Sequence, residues 1–355
     1  MYPLNAWYVA CTPQEIDDKP LGRTICKRPI VFYRNGDGAV VALEDFCPHR
    51  GAPLSMGSVI EGRLVCGYHG LTMGCDGKTV AMPGQRVNSF PAVCAYPVVE
   101  RHGFIWVWPG DPGLADADKI HRCDWADSPE WAYGGGLFHI GCDYRLMIDN
   151  LMDLTHETYV HASSIGQKEI DETPSATQAE GMEVTTSRFM TDIEPPPFWK
   201  MALRGNHLPD DQHVDRWQIC HFTPPSHVLI EVGVALTGKG GYGAEPRFKA
   251  SSIVVDFITP ESDTSIWYFW GMARNFNARD KALTASIREG QAKIFSEDLE
   301  MLERQQRNHL QWPDRRLLKL NIDAGGVHAR RILAKLVAAE QAAPAATTAS
   351  VAGRP

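Results

Sequence analysis

Two short segments, Cys-Pro-His-Arg-Gly at residues 47–51 and Cys-Gly-Tyr-His-Gly at residues 66–70, decide the fold of the amino-terminal part of this chain. Each segment places one thiol and one imidazole on a tight turn, so the pair offers two sulfur and two nitrogen ligands to a metal. A structural zinc site is one interpretation of two cysteines and two histidines. Chance is another, because the chain contains nine cysteines and 13 histidines.

The order of the ligands favours an iron–sulfur cluster over zinc. A zinc finger has both cysteines in one pair and both histidines in the other, whereas each pair here is mixed. Mixed pairs suit a [2Fe–2S] cluster in which one iron takes both cysteines and the other takes both histidines, which is the Rieske arrangement. The predicted cluster ligands are therefore Cys47, His49, Cys66 and His69.

The sequence around these segments predicts β-structure. Short apolar stretches such as residues 30–33 and 104–108 are separated by turn signals such as Asn-Gly-Asp-Gly at residues 35–38. A Pro-Gly-Asp-Pro-Gly segment at residues 109–113 then interrupts the pattern. We therefore expect an all-β Rieske domain over residues 1–110.

The remainder of the chain predicts a sheet with helices. Helical patterns cover about residues 144–161, 280–308 and 327–339, and apolar strand-like stretches lie between residues 216 and 273. We expect an antiparallel sheet plus helices over residues 111–341, which makes the whole chain α+β. The last residues, 342–355, contain almost no bulky side chain, so we expect a disordered tail.

A second group of metal ligands is predicted in the helical segment at residues 144–161. Asp153 and His156 are three residues apart and would share one helix face. His156 and His161 are five residues apart, about 140° around an ideal helix. Both imidazoles can reach one metal only if the helix ends or bulges between them. Two ordinary histidines on a surface helix remain the alternative.

The expected third ligand is a carboxylate, because two histidines and one carboxylate form the site of non-haem Fe(II) oxygenases. Asp298 lies in the middle of an apolar stripe on the long helix, where a buried carboxylate needs a partner. The stripe consists of Leu283, Ile287, Ile294 and Leu302. A salt bridge from Asp298 to Arg304 or Arg307 is the alternative. Glu297 and Glu300 lie off the stripe, and we expect them to be solvated.

Taken together, these motifs resemble the Rieske non-haem iron oxygenases, and in particular the members that demethylate aromatic ethers. The resemblance extends to about residue 339, through segments such as Asn-Ala-Trp-Tyr-Val-Ala at residues 5–10 and Met-Ala-Arg-Asn-Phe at residues 272–276. It implies that His156, His161 and Asp298 hold a mononuclear non-haem Fe(II).

The resemblance also implies an activity. The chain would be the oxygenase component that uses O2 to oxidise the methoxy group of vanillate, giving protocatechuate and formaldehyde in lignin catabolism. O-demethylation or ring hydroxylation of another substituted benzoate is the alternative. A pure electron carrier is disfavoured, because it needs only about 110 residues, one ordinary domain. Arg188, Lys200 and Arg204 are possible contacts for the substrate carboxylate.

Electrons would come from a partner protein. The chain shows no flavin or nicotinamide fingerprint and no plant-type ferredoxin cysteine spacing. We therefore expect a separate flavin/ferredoxin-type reductase that uses NADH or NADPH.

The resemblance further implies a homotrimeric ring in which each cluster faces the iron of the neighbouring chain. Asp153 would act at this interface by joining His69 of one chain to His156 of the next. The chemistry agrees, because each metal-bound imidazole has one N–H left to donate and one carboxylate can accept both.

The composition of the chain argues against several kinds of partner and location. The formal net charge of −8 argues against a nucleic-acid partner. No apolar run approaches the roughly 18 residues of a transmembrane helix, so we expect no membrane partner. The start of the chain does not resemble an export signal, and the odd number of cysteines argues against a disulfide framework. We therefore expect a cytoplasmic protein.

Overall fold

The computed structural model describes residues 1–342 of the chain, which form two compact units. Of the described residues, the first unit contains 1–122, 259–262 and 335–342, and the second contains 123–258 and 263–334. The tail expected over residues 342–355 lies outside the described residues except for Ala342, which ends the last helix.

The first unit is built from short strands in three sheets, which confirms the expected all-β Rieske domain. The sheet orders are β1-β11-β10, β2-β3-β4-β9 and β5-β6-β7-β8. The strands are β1 (Tyr8–Cys11), β2 (Leu21–Ile25), β3 (Arg28–Arg34), β4 (Val40–Glu44), β5 (Ser58–Ile60), β6 (Arg63–Val65), β7 (Thr72–Met73), β8 (Thr79–Ala81), β9 (Ala95–Tyr96), β10 (Val98–Arg101) and β11 (Phe104–Val107).

The boundary of the first unit lies at Arg122, beyond the position expected near residue 110. Hydrogen bonds tie the intervening segment to the β-strands. The indole of Trp7 donates to the carbonyl of Asp116 at 2.8 Å, and Arg101 donates to the carbonyl of Ala117 at 2.7 Å. The Pro-Gly-rich segment is thus a turn within the unit, because the chain returns to bond with it.

The second unit contains a seven-stranded antiparallel sheet in the order β12-β18-β17-β16-β15-β14-β13. Its strands are β12 (Ala132–Ile140), β13 (Ala176–Glu180), β14 (Glu183–Ile193), β15 (Val214–Thr223), β16 (His227–Leu236), β17 (Lys249–Ser262) and β18 (Ser265–Arg274). This sheet and its helices confirm the expected α+β class.

The helices are α1 (Tyr144–Met152), α2 (Glu157–Val160), α3 (Lys168–Glu172), α4 (Pro197–Gly205), α5 (Lys281–Gln311) and α6 (Ala324–Ala342). The side chain of Asp280 caps α5 by accepting from the N–H of Leu283. The buried face of α5 repeats every three or four residues, as the apolar stripe predicts. Within residues 1–342, no helix combines the length and apolarity needed to cross a bilayer.

Candidate active site

The two predicted cluster segments form loops with the same backbone hydrogen bonds. The N–H of Cys47 and the N–H of Cys66 each donate at 2.8 Å to the carbonyl five residues later. The N–H groups of Gly51 and Gly70 return hydrogen bonds to the two cysteine carbonyls at 2.8 and 3.0 Å. Both glycines have positive φ angles, +71° and +76°, which a residue with a side chain rarely adopts.

These loops bring the four predicted cluster ligands together, with the thiols inside and the imidazoles at the surface. Cys47 and Cys66 are each 2% exposed, whereas His49 and His69 are exposed. The two imidazole rings lie 4.7 Å apart between centroids. Burial raises the pKa of the Cys47 thiol, as does the neighbouring thiol of Cys66. A bound metal would displace these protons, because thiolates are the ligands.

The second predicted site depends on a break in the helix at residues 144–161. Helix α1 ends at Met152, and Asp153 is extended with φ −133° and ψ 100°. A single 3-10 turn then leads into the short helix α2, and His161 follows its last residue. The rings of His156 and His161 consequently lie 5.2 Å apart between centroids. The expectation that the helix must be interrupted is confirmed.

The carboxylate of Asp298 meets both imidazoles. Its two oxygens lie 3.4 Å from Nε2 of His156 and 3.2 Å from Nε2 of His161. One ligand atom from each residue falls within 4.8 Å of the other two. Neither Arg304 nor Arg307 forms a salt bridge with the Asp298 carboxylate, and Arg304 pairs instead with the exposed Glu300. Two imidazole nitrogens and one carboxylate suit ferrous iron with open coordination positions, so the residues fit the expected metal.

The outer nitrogen of each imidazole has its own acceptor. Nδ1 of His161 donates to Glu297 at 2.8 Å, and Nδ1 of His156 donates to the main-chain carbonyl of Asp153 at 2.7 Å. These bonds hold a proton on each Nδ1, so a metal would bind through Nε2 and would displace any proton there. The expectation that Glu297 is solvated is wrong, because the buried imidazole of His161 requires an acceptor and Glu297 supplies it.

The structure also corrects the expected setting of Asp153. Asp153 and His156 do not share a helix face, because α1 ends at Met152. The carboxylate of Asp153 accepts from the N–H of Thr155 at 2.9 Å and so caps the 3-10 turn. Within one chain, the main-chain carbonyl of Asp153 rather than its carboxylate therefore orients His156.

Electrostatics at the three ligands favours ion formation despite their burial. Burial alone would raise the pKa of Asp298, but hydrogen bonds and charge from His156 and His161 outweigh it and lower the pKa to about 2. Burial would lower the pKa of His161, yet Asp298 and then Glu297 raise it to about 9. Asp298 is thus a carboxylate at neutral pH, as a metal ligand must be.

A buried polar network holds α2 in place. Glu157, at the start of α2, pairs with Arg216 at 2.9 Å and accepts from Gln218 at 2.9 Å through both oxygens. Arg188 donates to the hydroxyl of Thr155 at 2.8 Å. Sequence reasoning missed Glu157, Arg216 and Gln218 because the partners come from α2 and β15, which no local spacing connects.

A cavity of about 60 Å³ adjoins the three metal ligands. Its polar lining residues besides the ligands are Asn150, Glu157, Arg216 and Gln291. The rest of its wall is apolar, comprising Leu151, Leu154, Ile165, Phe198, Trp199, Ile230, Val232, Val254, Met272, Ile294 and Phe295. Such walls suit an aromatic ring.

The three basic residues considered for the substrate carboxylate do not line this pocket. Lys200 pairs with Glu194, Arg204 pairs with Asp210, and Arg188 belongs to the network behind the site. Sequence spacing could not separate them from Arg216, the cation that does line the pocket.

The chain matches two known protein families, one over each of the two candidate metal sites. Residues 6–91 match the Rieske [2Fe-2S] domain, and residues 140–339 match the vanillate O-demethylase oxygenase C-terminal domain. The first match contains all four predicted cluster ligands, and the second contains all three residues of the iron site.

Individual proteins extend this similarity over nearly the whole chain. A vanillate O-demethylase oxygenase subunit from a Pseudomonas strain is 71% identical over 343 residues, covering 97% of each chain. The oxygenase component of dicamba O-demethylase from Stenotrophomonas maltophilia is 36% identical, covering 95% of this chain and 98% of that protein. A crystal structure of dicamba monooxygenase bound to 3,6-dichlorosalicylic acid superposes with a TM-score of 0.89 at 34% identity, covering 96% of this chain and 99% of that one. The chain therefore belongs to the vanillate O-demethylase oxygenase family of Rieske [2Fe–2S] oxygenases.

Proposed function

We propose that this chain is the oxygenase component of an aromatic O-demethylase whose substrate is vanillate. The single observation that carries the proposal is the union of His156, His161 and Asp298 at one wall of an apolar pocket. The high identity to vanillate O-demethylase oxygenase subunits supports the choice of substrate. The products are protocatechuate and formaldehyde.

The metals and the protein side chains contribute different parts of the proposed reaction. A ferrous ion held by His156, His161 and Asp298 supplies the activation of O2. One atom of O2 would enter a methoxy C–H bond, and two electrons from the reductase with two protons would convert the other atom to water. The resulting hemiacetal would split into formaldehyde and a catechol. The protein orients the ring between apolar walls and keeps both Nδ1 protons in place through Glu297 and the carbonyl of Asp153. The same walls exclude water from the reacting carbon.

A separate reductase supplies the electrons. Cys47, His49, Cys66 and His69 would hold the [2Fe–2S] cluster, which would supply a site for one electron, and the imidazoles of His49 and His69 are exposed at the surface. We propose that a flavin/ferredoxin-type protein using NADH or NADPH is the donor. The related dicamba protein is likewise named as the oxygenase component of a larger system.

We further propose that the chain assembles as a homotrimer in which a neighbour's cluster faces this iron site. His156 and Asp153 line a second cavity of about 1210 Å³, and exposed apolar residues such as Leu317 and Leu318 border it. The cluster face of the Rieske domain carries the exposed ring of Tyr68 beside His69. A groove that mixes apolar and charged residues beside the iron site, and an exposed aromatic ring beside the cluster ligands, are surfaces that such an interface could use.

One oxygen of the Asp153 carboxylate can contribute to the same interface. The other oxygen caps the 3-10 turn, so Asp153 is held firmly while part of its carboxylate remains available to a neighbour's His69. Light scattering should give a mass three times the 39.4 kDa of one chain. A protein that is fully active as a monomer would contradict the assembly.

The activity is tested by incubating the purified protein with vanillate, NADH and a reductase of this type. Formaldehyde and protocatechuate should appear in equal amounts, and without the reductase neither should form. A cis-diol without formaldehyde would favour ring hydroxylation instead. Formaldehyde from other methoxybenzoates but not from vanillate would favour the alternative substrate. The cytoplasmic location stays a prediction from the sequence.

A further inference from the structure

One buried amide in the wall of the active-site pocket has no hydrogen-bond partner among the described residues, 1–342. Gln291 lies on α5, is 4% exposed and lines the same pocket as Asp298. Among residues 1–342, no group hydrogen-bonds to its carboxamide. An unpaired amide in an apolar wall is costly, so its partner is a molecule that occupies the pocket.

The other polar residues of the pocket already have hydrogen-bond or ion-pair partners within the protein. Asn150 donates to Asp298 at 3.1 Å, and Arg216 and Glu157 pair with each other. Nε of Arg216 and Oδ1 of Asn150 also lack partners, but both atoms are sealed from solvent. The amide of Gln291 is not sealed in this way, so a ligand can reach it.

The position of Gln291 on α5 indicates which part of the substrate it meets. Gln291 and Asp298 are seven residues apart, two helical turns, so they share a face at a separation of about 10 Å along the axis. Ile294 and Phe295 lie between them and also line the pocket. In vanillate the hydroxyl group is next to the methoxy group, whereas the carboxylate is one ring position farther away. A substrate whose methoxy carbon lies near Asp298 would place its carboxylate, the polar group farther from that carbon, within reach of Gln291.

We propose that Nε2 of Gln291 donates a hydrogen bond to the substrate carboxylate and thereby selects methoxybenzoates over methoxyphenols. This inference rests on the proposed function, because it takes the substrate to be a methoxy-substituted aromatic acid. Gln291 is a substrate-binding residue and takes no part in holding the metal.

The test compares two ligands that differ in the carboxylate. Gln291→Met keeps an unbranched side chain of similar length and removes the amide. Calorimetric titration of the purified holoenzyme should show the Kd for vanillate rising about 10- to 100-fold, the size expected for a hydrogen bond to a charged group. The Kd for guaiacol, which lacks the carboxylate, should not change. Gln311→Met, at an exposed position on the same helix, is the matched control and should alter neither Kd.

Three results would overturn the inference. An unchanged Kd for vanillate would mean that water alone satisfies the amide. Equal weakening of vanillate and guaiacol, with a lower melting temperature, would mean that Gln291 supports the fold. An unchanged Kd for 3-methoxybenzoate, which keeps the carboxylate and lacks the hydroxyl group, would contradict selection through the carboxylate. Gln291→Leu is measured alongside, so that misfolding of one variant does not end the test. Wild-type turnover is a separate measurement, and its failure would refute the proposed function without involving Gln291.

Discussion

Replacing Glu297 by alanine should weaken iron binding without touching the iron ligands. Glu297 accepts the Nδ1 proton of His161 at 2.8 Å, so the Glu297→Ala variant loses the bond that directs Nε2 towards the metal. A hydrogen bond involving a charged group contributes about 1.5–3 kcal/mol when buried. The Glu297 side chain is 25% exposed, so solvent screening favours the lower end of that range. About 1.5 kcal/mol corresponds to roughly tenfold weaker binding of Fe(II).

The assay equilibrates the purified protein with graded concentrations of free Fe(II) and measures mononuclear iron per chain. The visible spectrum of the [2Fe–2S] cluster, which Glu297 does not contact, should remain unchanged and reports that the first unit is intact. Glu300→Ala is the matched control, because Glu300 is an exposed carboxylate on the same helix that pairs only with Arg304. Equal iron affinity in wild type and Glu297→Ala, or an equal loss in Glu300→Ala, would refute the reasoning.

Three further outcomes are expected. Asp298→Ala should remove the mononuclear iron and the activity while keeping the cluster spectrum; iron analysis that finds full occupancy would reject Asp298 as a ligand. Asp153→Asn should keep both metals and the trimer yet turn over very slowly, and single-turnover kinetics should place the loss in cluster-to-iron electron transfer; a normal transfer rate would exclude this role. The cluster potential should lie near the bottom of the Rieske range of about −150 to +300 mV, because the side chains of Leu71 and Met73 cannot donate hydrogen bonds to the sulfurs. A strongly positive midpoint in a redox titration would contradict this.

The sequence predicted which possible metal ligands the structure brings together, because metal chemistry constrains residue type and spacing. Mixed Cys-His pairs at residues 47–49 and 66–69 have few structural interpretations, and the matched domain confirms the Rieske one. Five-residue spacing between His156 and His161 required an interrupted helix, and the structure contains one. The apolar stripe on the long helix identified Asp298, since burial at helical period can be read from a single segment.

The hydrogen-bond partners of those side chains could not be predicted from the sequence. Glu297 lies next to Asp298 in sequence, yet its role depends on His161, which approaches from another element. The spacing of Asp153 and His156 predicts a shared helix face, but α1 ends at Met152, and no local pattern distinguishes a continuous helix from this break. The end of the first compact unit at Arg122, beyond residue 110, likewise depends on distant contacts, because hydrogen bonds from Trp7 and Arg101 hold the following segment in that unit.

The sequence by itself determined the α+β class and the family to which the chain belongs, and it predicted the residues of two metal centres. These properties depend on periodicity and on side chains close in sequence, which a single chain displays directly. Only the tertiary structure decided which groups orient the imidazoles, that Arg216 rather than Arg188 lines the pocket, and that Gln291 has no partner there. These contacts join side chains from α2, α5 and β15. Only the packing of the whole unit sets the distances between side chains on different elements.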